Sequence, residues 1–557
     1  MPPDLRNRLD RVTQLLFSGG LNNPITYIEQ ISYLIYLKLL DEAENSRELQ
    51  GRLTGQHTSL FPQQASRYRW NQWRLFSGEK LLKFVRDDVF PYLASLVREE
   101  PDVAAYFQDA RLQIEDPAIL KEVIDELDQI QFARLGTDVK GDIFEYLLTY
   151  LATQEGALLG QFRTPRQIRK LMVEVADPDL GDTIHDPACG TGGFIIDATE
   201  YILAKYSSTP VEVPIYGETW LEQKNLTLAE AKKQNPSLQT YRKGPGDLLP
   251  DWERLEASLF GHDVSREMIR IGRMNLVLHG FPRARLKRAN TLSDIGGLTE
   301  DDLARRYRVI LSNPPFAGML PRDSIRSDLP TNSKKSELLF LAVMMQSLAP
   351  GGRCAVVIPE GLLFGSTSAH TELRKKLCTE FEVQCVVSLS PGVFKPYAGV
   401  KTSILIFRRP ANSDSSTPRP LDSSSRSAPR HVWFYDLTQD GYDADKISGG
   451  GRPITPEKND IPEFLSRWRE YKAKNFTDPY GPRGLQILPA DHPEPKSWWA
   501  TLEQIEQADW TLSASRYRPQ VAAPIANGDP RELINDVLTS EHALTKGLEK
   551  LLQEIAS

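Results

Sequence analysis

The sequence predicts a doubly wound, mostly parallel α/β domain, preceded by an all-α N-terminal domain and followed by a C-terminal helical extension. First, short β-rich runs alternate with helical stretches between Arg163 and Arg409, which implies right-handed crossovers between parallel strands. Second, apolar residues before Gly160 recur at helical spacings. Third, a glycine-rich turn follows the first predicted strand, where sheets of this kind bind ligands.

Length and composition narrow the class of protein. The chain has 557 residues, which is too many for a single hydrophobic core. It is 40% hydrophobic and 25% charged, a composition typical of soluble globular proteins. No apolar run approaches the roughly 20 residues of a membrane span, and the N-terminus lacks the apolar segment of a secretory signal. The four cysteines form no Cys-x-x-Cys pair. We therefore expect a cytoplasmic protein without a membrane segment, a disulfide framework or a metal site.

Residues 1–160 are predicted to form the helical N-terminal domain. Their apolar residues recur every three or four positions and form no alternating run long enough for a sheet. The two clearest sets are Ile25, Ile28, Ile31, Ile35 and Leu39, and Ile143, Tyr146, Leu147 and Tyr150.

Residues 161–409 are predicted to form the α/β domain. The long polar segment 207–251 is interpreted as an insertion on its sheet. The predicted strands are Asp182–Asp186, Ser258–Asp263, Arg288–Leu292, Tyr307–Ser312, Cys354–Pro359, Val383–Leu389 and Ser403–Phe407, and the helical segments between them include Ser265–His279, Ser336–Leu348 and Thr371–Phe381.

The rest of the chain is predicted to contain three further segments. Residues 410–430 are rich in Ser and Pro, a composition typical of a flexible linker. Residues 431–528 are expected to be an extension packed on the α/β domain. In 529–557, an apolar seam at heptad-like spacing predicts a helix for subunit assembly, although such a helix could also fold back on its own domain. The seam comprises Val537, Leu544, Leu548, Leu551 and Ile555.

The glycine-rich turn runs from His185 to Phe194 and includes Gly190, Gly192 and Gly193. Glycines let the backbone bend sharply and approach a ligand closely. The turn opens with Asp186, a carboxylate that would repel a phosphate group. A cationic ligand fits better, and S-adenosylmethionine, with its sulfonium and ammonium charges, is the obvious candidate.

The second motif, Asn313-Pro314-Pro315-Phe316, follows the predicted strand Tyr307–Ser312. An exocyclic adenine amine is a poor nucleophile because its lone pair is delocalised into the ring. The Asn313 side-chain oxygen and the Pro314 carbonyl could each accept one of its N–H bonds, and Phe316 could stack on a base turned out of its duplex. Alone, the motif could be a proline turn; together with the glycine-rich turn it predicts catalysis.

The two motifs, in this order along one sheet, resemble the γ-type amino-methyltransferases of DNA. The whole chain resembles the modification (methyltransferase) subunit of a type I restriction–modification system, which implies a seven-stranded, Rossmann-like methyltransferase sheet. Four further segments carry the resemblance: Gly141–Leu148, Gly160–Arg166, Phe260–Asp263 and Met274–Gly280.

The resemblance also implies roles for individual residues. The six residues Gln161, Phe162, Arg163, Thr164, Pro165 and Arg166 would close over the methionine end of S-adenosylmethionine, and the turn residues Asp186, Pro187, Gly190, Thr191, Gly192 and Gly193 would form its cradle. Asp263 would bind the ribose hydroxyls, with Glu218 as a rival, and Asn290 stands where the family often has an aspartate beside the adenine ring.

The expected activity is methyl transfer from S-adenosylmethionine to adenine N6 in specific DNA. N4-cytosine methylation, glutamine methylation of a protein, and a cofactor-binding scaffold of another phage-defence complex are the alternatives. The net charge is −7 and the sequence has no evident DNA-reading motif, so the choice of DNA site is expected to come from elsewhere; the resemblance assigns it to a separate specificity subunit. The resemblance further implies a second copy of this chain and an ATP-dependent restriction subunit as partners. ATP-driven translocation is not expected of this chain, because its sequence lacks a phosphate-binding loop.

Overall fold

A computed structural model of the chain describes residues 3–54, 59–98, 100–132, 135, 143–144, 146–147, 164–395, 399–411, 431–443, 446, 452–474, 476, 487–488, 495–521, 534–535, 538–542 and 545–546. Some sequence predictions lie outside these residues: the linker from 412 onward, the helical position of Tyr150, the predicted cofactor residues Gln161, Phe162 and Arg163, and the C-terminal apolar seam (Val537, Leu544, Leu548, Leu551 and Ile555).

The N-terminal part is helical, as the sequence predicts. Its helical segments are Pro3–Ser18, Pro24–Thr54, Gln63–Tyr68, Trp70–Trp73, Gly78–Lys83, Phe84–Val89, Phe90–Ala94, Pro101–Phe107 and Pro117–Asp128. They share an apolar core that also takes in Met268, Ile271 and Met274 of a helix belonging to the α/β domain. The two domains therefore pack on each other, and the Arg270 guanidinium lies 2.6 Å from the Glu29 carboxylate across the contact.

The rest of the described chain is built around strands. In chain order they are β1 (Ile184–Asp186), β2 (Val211–Pro214), β3 (Thr240–Lys243), β4 (Leu259–Asp263), β5 (Arg285–Arg288), β6 (Tyr307–Ser312), β7 (Leu348–Pro359), β8 (Glu382–Leu389), β9 (Thr402–Arg408), β10 (His431–Leu437), β11 (Asp440–Tyr442), β12 (Ile454–Asn459), β13 (Ile487–Leu488), β14 (Ser497–Thr501) and β15 (Gln520–Val521).

Nine of these strands form one mixed, mostly parallel sheet in the order β14-β10-β8-β9-β7-β6-β1-β4-β5. Strand β9 runs antiparallel to β7 and β8, and β14 runs antiparallel to β10; the other neighbouring pairs are parallel. The helical segments beyond the N-terminal part are Arg166–Ala176, Gly193–Lys205, Glu218–Lys224, Leu228–Gln234, Trp252–Ala257, Arg266–Leu278, Glu300–Ala304, Arg322–Ser324, Ser336–Ser347, Glu360–Phe364, Ser368–Glu380, Ile461–Ala473, Leu502–Gln507 and Ala514–Arg516.

The prediction of seven strands is wrong in number. Strands β10 and β14, from the segment expected only to pack on the domain, extend the same sheet beyond β8. The reason is that β8 offers an open edge, with which β10 pairs in parallel from Trp433 to Leu437. Pairing also buries the apolar run Val432–Tyr435. This run is visible in the sequence, but the sequence does not indicate which strand it pairs with.

The third strand is also displaced from its predicted position at Arg288–Leu292. Strand β5 comprises Arg285–Arg288 and pairs with Phe260–Asp263. Only Leu286 of this strand is fully buried. An edge strand needs few buried side chains and tolerates Lys and Arg, so a search for apolar runs overlooks it.

The segment 207–251 forms a small unit of its own. Strands β2 and β3 pair as an antiparallel ribbon, and Trp220, Ala231 and Leu238 form a separate apolar cluster.

Candidate active site

The candidate site lies at the carboxyl edge of the sheet, where three adjacent parallel strands end. Strands β1, β4 and β6 end at Asp186, Asp263 and Ser312. Their register places Asp186 opposite Gly261 and His185 opposite Ile310, so β4 and β6 each extend two residues beyond those partners. The two motifs singled out in the sequence therefore meet at one edge, the usual ligand-binding position in such sheets.

The glycine-rich turn connects β1 to the helix Gly193–Lys205. Gly190 has φ +50° and Gly192 has φ +78°, values that favour glycine because it has no Cβ. A Cβ on Gly190 would meet no atom within 4 Å, so the turn has open space beside it. A Cβ on Gly192 would instead lie 3.7 Å from the Leu286 side chain, so glycine is required there by its backbone conformation.

Asp186 is buried below the turn and joins it to β6. Its Oδ1 atom accepts hydrogen bonds from the Ser312 hydroxyl at 2.6 Å and from the Ala188 amide at 3.0 Å. Burial raises the pKa of this carboxyl to about 7, although the Ser312 hydrogen bond favours the ionised form. Its charge is therefore sensitive to whatever binds at the turn.

Asp263 contacts the turn directly. Its Oδ2 atom accepts a hydrogen bond from the Gly190 amide at 3.0 Å, and its Oδ1 atom accepts one from the Ser265 amide at 2.8 Å. Burial raises the pKa of this carboxyl, and the two amide donors act against that shift. Each carboxylate oxygen can accept a second hydrogen bond, so Asp263 can still bind hydroxyl groups.

Asn313 follows β6 directly, and among the described residues its side-chain amide has a hydrogen-bond partner at one end. The Nδ2 atom donates a hydrogen bond to the Thr164 hydroxyl at 2.9 Å. Within the described residues the buried Oδ1 atom accepts none. Pro314 is buried, Pro315 is exposed, and the Phe316 ring packs edge-to-face on Phe394 at 6.0 Å between centroids.

The other predicted cofactor residues have different surroundings. Gln161, Phe162 and Arg163 lie outside the described residues, and Pro165 directly precedes the helix Arg166–Ala176. Arg166 bonds the Tyr241 hydroxyl of the inserted segment. The Pro187 carbonyl accepts a hydrogen bond from Thr291.

The two rivals for the ribose differ in position. Glu218 is exposed at the start of a helix in the inserted segment, whereas Asp263 bonds the glycine-rich turn. Asn290 lies two residues after β5, and its Oδ1 atom accepts a hydrogen bond from the Leu292 amide at 3.1 Å.

Three residues of the site were given no role by the sequence. Ser312 bonds Asp186, the Asn275 amide donates to the Thr191 carbonyl at 2.9 Å, and Gly272 faces the glycine-rich turn from the helix Arg266–Leu278. Two features of the sequence could have indicated these residues: Ser312 is a polar residue at the end of an apolar strand, and Gly272 is a glycine inside a helix.

The described residues contain no group of three or more His, Cys, Asp or Glu side chains arranged to hold a metal ion. None of the described helices combines the length and apolar composition needed to cross a membrane.

Comparison with known proteins identifies the family. The N-6 DNA Methylase family matches residues 135–235 and 241–523, and the HsdM N-terminal domain matches residues 5–127. The chain is 30% identical over 432 residues to the type I restriction enzyme EcoEI methylase subunit of Escherichia coli, covering 75% of this chain and 74% of that one. It is 25% identical over 516 residues to the StySJI methylase subunit of Salmonella typhimurium, covering 91% and 81%.

Solved structures agree with this assignment. A chain from a structural study of complex assembly and conformational transition in the type I R-M system aligns with a TM-score of 0.64 and 27% identity, covering 99% of this chain and 97% of that one. The methyltransferase subunit of a type I system from Streptococcus thermophilus shares the fold, with a TM-score of 0.56, 18% identity and coverage of 92% and 98%. The chain thus belongs to the N-6 DNA methylase family, as a type I restriction–modification methylase subunit that methylates adenine N6 in DNA.

Proposed function

We propose that this chain methylates an adenine turned out of its duplex, with Asn313, Pro314, Pro315 and Phe316 as the catalytic motif. The observation that carries the proposal is the buried Asn313 Oδ1 atom, which has no hydrogen-bond donor among the described residues. An unpaired buried acceptor is unfavourable, and a substrate N–H group would satisfy it. This acceptor follows β6, the neighbour of the strand that leads into the glycine-rich turn, and that position suits an adenine amine.

The acceptors activate the amine by redirecting its electrons. When Asn313 Oδ1 and the Pro314 carbonyl each accept a hydrogen bond from one N–H group of the adenine amine, the amine nitrogen is drawn towards tetrahedral geometry and its lone pair becomes available. Proline suits this position because it supplies a carbonyl oxygen without a competing N–H group. Phe316, held by Phe394, would contact the extruded base. Fixed acceptors of this kind accelerate a reaction by positioning and by hydrogen bonding.

Residues of the glycine-rich turn and Asp263 would hold S-adenosylmethionine, the donor that family membership implies. The open space beside Gly190 and the spare accepting capacity of Asp263 fit such a ligand. Asp186 and Pro187, the backbone of Thr191, Gly192 and Gly193, the residues Gln161, Phe162, Arg163, Pro165 and Arg166, and Asn290 complete the proposed contacts. When bound, S-adenosylmethionine supplies an activated methyl group that passes directly to the amine.

The proposed working form is a cytoplasmic complex on DNA. Its members would be a specificity subunit that chooses the site, a second copy of this chain and, in systems that restrict, an ATP-dependent subunit. The net charge of −7 supports this proposal, because a chain that grips DNA alone usually carries a basic surface. The match to the HsdM N-terminal domain and the likeness to a type I R-M structure concerned with complex assembly also support it.

The proposal is tested by reconstituting this chain with its specificity subunit. The complex is incubated with target DNA and S-adenosylmethionine labelled in the methyl group, and the DNA is digested to nucleosides. We expect label in N6-methyladenine at one position per strand of the recognition site. Label in N4-methylcytosine, or label only in protein, would overturn the proposal.

A further inference from the structure

Thr164 is the hydrogen-bond partner of the Asn313 amide. The two residues are 149 positions apart in sequence, and the Thr164 hydroxyl accepts from Asn313 Nδ2 at 2.9 Å. Thr164 is only 5% exposed, so water has little access to this hydrogen bond. The contact occupies the nitrogen end of the amide, whereas the oxygen end has no partner among the described residues.

Thr164 is itself held in place by a buried ion pair. Its carbonyl accepts a hydrogen bond from Arg169 Nη1 at 2.9 Å. Arg169 Nε lies 2.6 Å from Asp197 Oδ2, and the two side chains are 9% and 4% exposed. Lys170 binds the other oxygen of Asp197 at 2.9 Å. Charged hydrogen bonds of this kind are short and strong, so the backbone at Thr164 is fixed relative to the helix Arg166–Ala176.

The direction of the Asn313 amide matters for the reaction. A primary amide has a donor end and an acceptor end, which differ chemically although they are similar in shape. If the group were rotated by 180°, Nδ2 would face the substrate and present hydrogen atoms to an amine that needs acceptors. A hydroxyl can donate or accept, so the contact with Thr164 holds one end of the amide in place, and the N–H groups of the substrate favour the orientation that presents Oδ1.

We propose that Thr164 is a positioning residue for methyl transfer, whose hydroxyl holds one end of the Asn313 amide so that the other end, Oδ1, faces the adenine amine. This role rests on the proposed function of Asn313, and it differs from the cofactor contact that the family resemblance implied for Thr164. The Asp197–Arg169 pair holds Thr164, Thr164 holds the amide, and the amide oxygen meets the substrate.

The test uses full-length chain in complex with the specificity subunit. Thr164→Val removes the hydroxyl but keeps the branched shape, whereas Thr164→Ser keeps the hydroxyl. We expect the valine variant to lower the single-turnover rate of methyl transfer at least tenfold, with S-adenosylmethionine affinity within twofold of wild type. The serine variant should recover a rate within threefold of wild type. Should the valine variant fail to fold, Thr164→Ala removes the hydroxyl with less change in shape.

The outcomes separate this role from its alternatives. A hydroxyl-free variant that methylates at the wild-type rate, while Asn313→Ala is inactive, would overturn the positioning role and leave the proposed function intact. A loss of cofactor affinity that matches the loss of rate would assign Thr164 to the cofactor and overturn it as well. Adding Thr164→Val to Asn313→Ala should cause no further loss, and an additive loss would contradict the proposal. An active Asn313→Ala variant would instead remove the proposed catalytic motif itself.

Discussion

Gly272 is predicted to control cofactor binding without touching the cofactor. It lies in the helix Arg266–Leu278, and a Cβ there would stand 2.8 Å from Leu286 Cδ2, 3.2 Å from the Gly190 oxygen and 3.3 Å from the Thr191 carbonyl carbon. Leu286 can move because its methyl group ends a flexible side chain. The other two atoms are backbone of the glycine-rich turn, so Gly272→Ala must displace the turn by several tenths of an ångström.

Overpacking of this kind costs about 1–3 kcal/mol. Alanine also favours a helix over glycine by roughly 0.5–1 kcal/mol, so overall stability should change little. The gain in helix stability is the same in the free and the cofactor-bound protein. The steric strain is different, because the turn can shift in the free protein but must return to its original position when the cofactor binds. Because about 1.4 kcal/mol is tenfold in affinity, S-adenosylmethionine should bind roughly 5- to 150-fold more weakly.

Isothermal titration calorimetry on the full chain measures this affinity, and a thermal melt reports folding. Gly361→Ala is the matched control, because Gly361 also lies in a helix but a Cβ there would meet no atom within 4 Å. The control should bind cofactor as wild type does. A Gly272→Ala variant that binds within twofold of wild type would refute the placement of the cofactor at this turn.

Three further predictions concern charge, domain packing and assembly. Burial raises the pKa of Asp186 to about 7, and the carboxyl must lose its proton to favour a cationic cofactor. The affinity for S-adenosylmethionine, measured by calorimetry, should therefore rise about tenfold from pH 6 to pH 8, and Asp186→Asn should remove this pH dependence. Arg270→Ala leaves the buried Glu29 carboxylate without its cationic partner and should weaken N-terminal packing by about 3–5 kcal/mol. Arg266→Ala breaks a more exposed ion pair and should change that packing by less than about 1 kcal/mol, so equal hydrogen-exchange rates of the N-terminal helices in the two variants would contradict the prediction. Truncation after Gly528 should leave a folded, cofactor-binding chain that no longer co-purifies with the specificity subunit. Co-purification at full stoichiometry would indicate instead that the predicted terminal helix packs on its own chain.

The sequence predicted what contiguous residues encode. The glycine-rich turn and the Asn313 motif are short runs whose chemistry can be read locally, and the central strands β1, β4 and β6 are apolar enough to be located. Their order along the chain, with parallel pairing, brings the two motifs to one edge of the sheet.

The rest depends on distant residues. The hydrogen bonds from Ser312 to Asp186 and from Asn313 to Thr164 join positions 126 and 149 residues apart, so no local pattern reveals them. Strand β5 has a single fully buried side chain, and β10 becomes a strand only by pairing with the edge of β8. Such features arise from tertiary packing, which overrides local preference.

In the proposed mechanism Asn313 acts on the reacting amine, and Asn313→Ala removes the side-chain amide that would do so. Two quantities are measured on the same preparation: methyl transfer by the complex with the specificity subunit, and affinity for the cofactor. Asn7→Ala, at an exposed position of the N-terminal helix Pro3–Ser18, is the control. We predict that Asn313→Ala binds S-adenosylmethionine within twofold of wild type yet loses methyl transfer by at least a hundredfold, because the missing hydrogen bond matters at the reacting amine. Turnover of Asn313→Ala at the wild-type rate would contradict the claim.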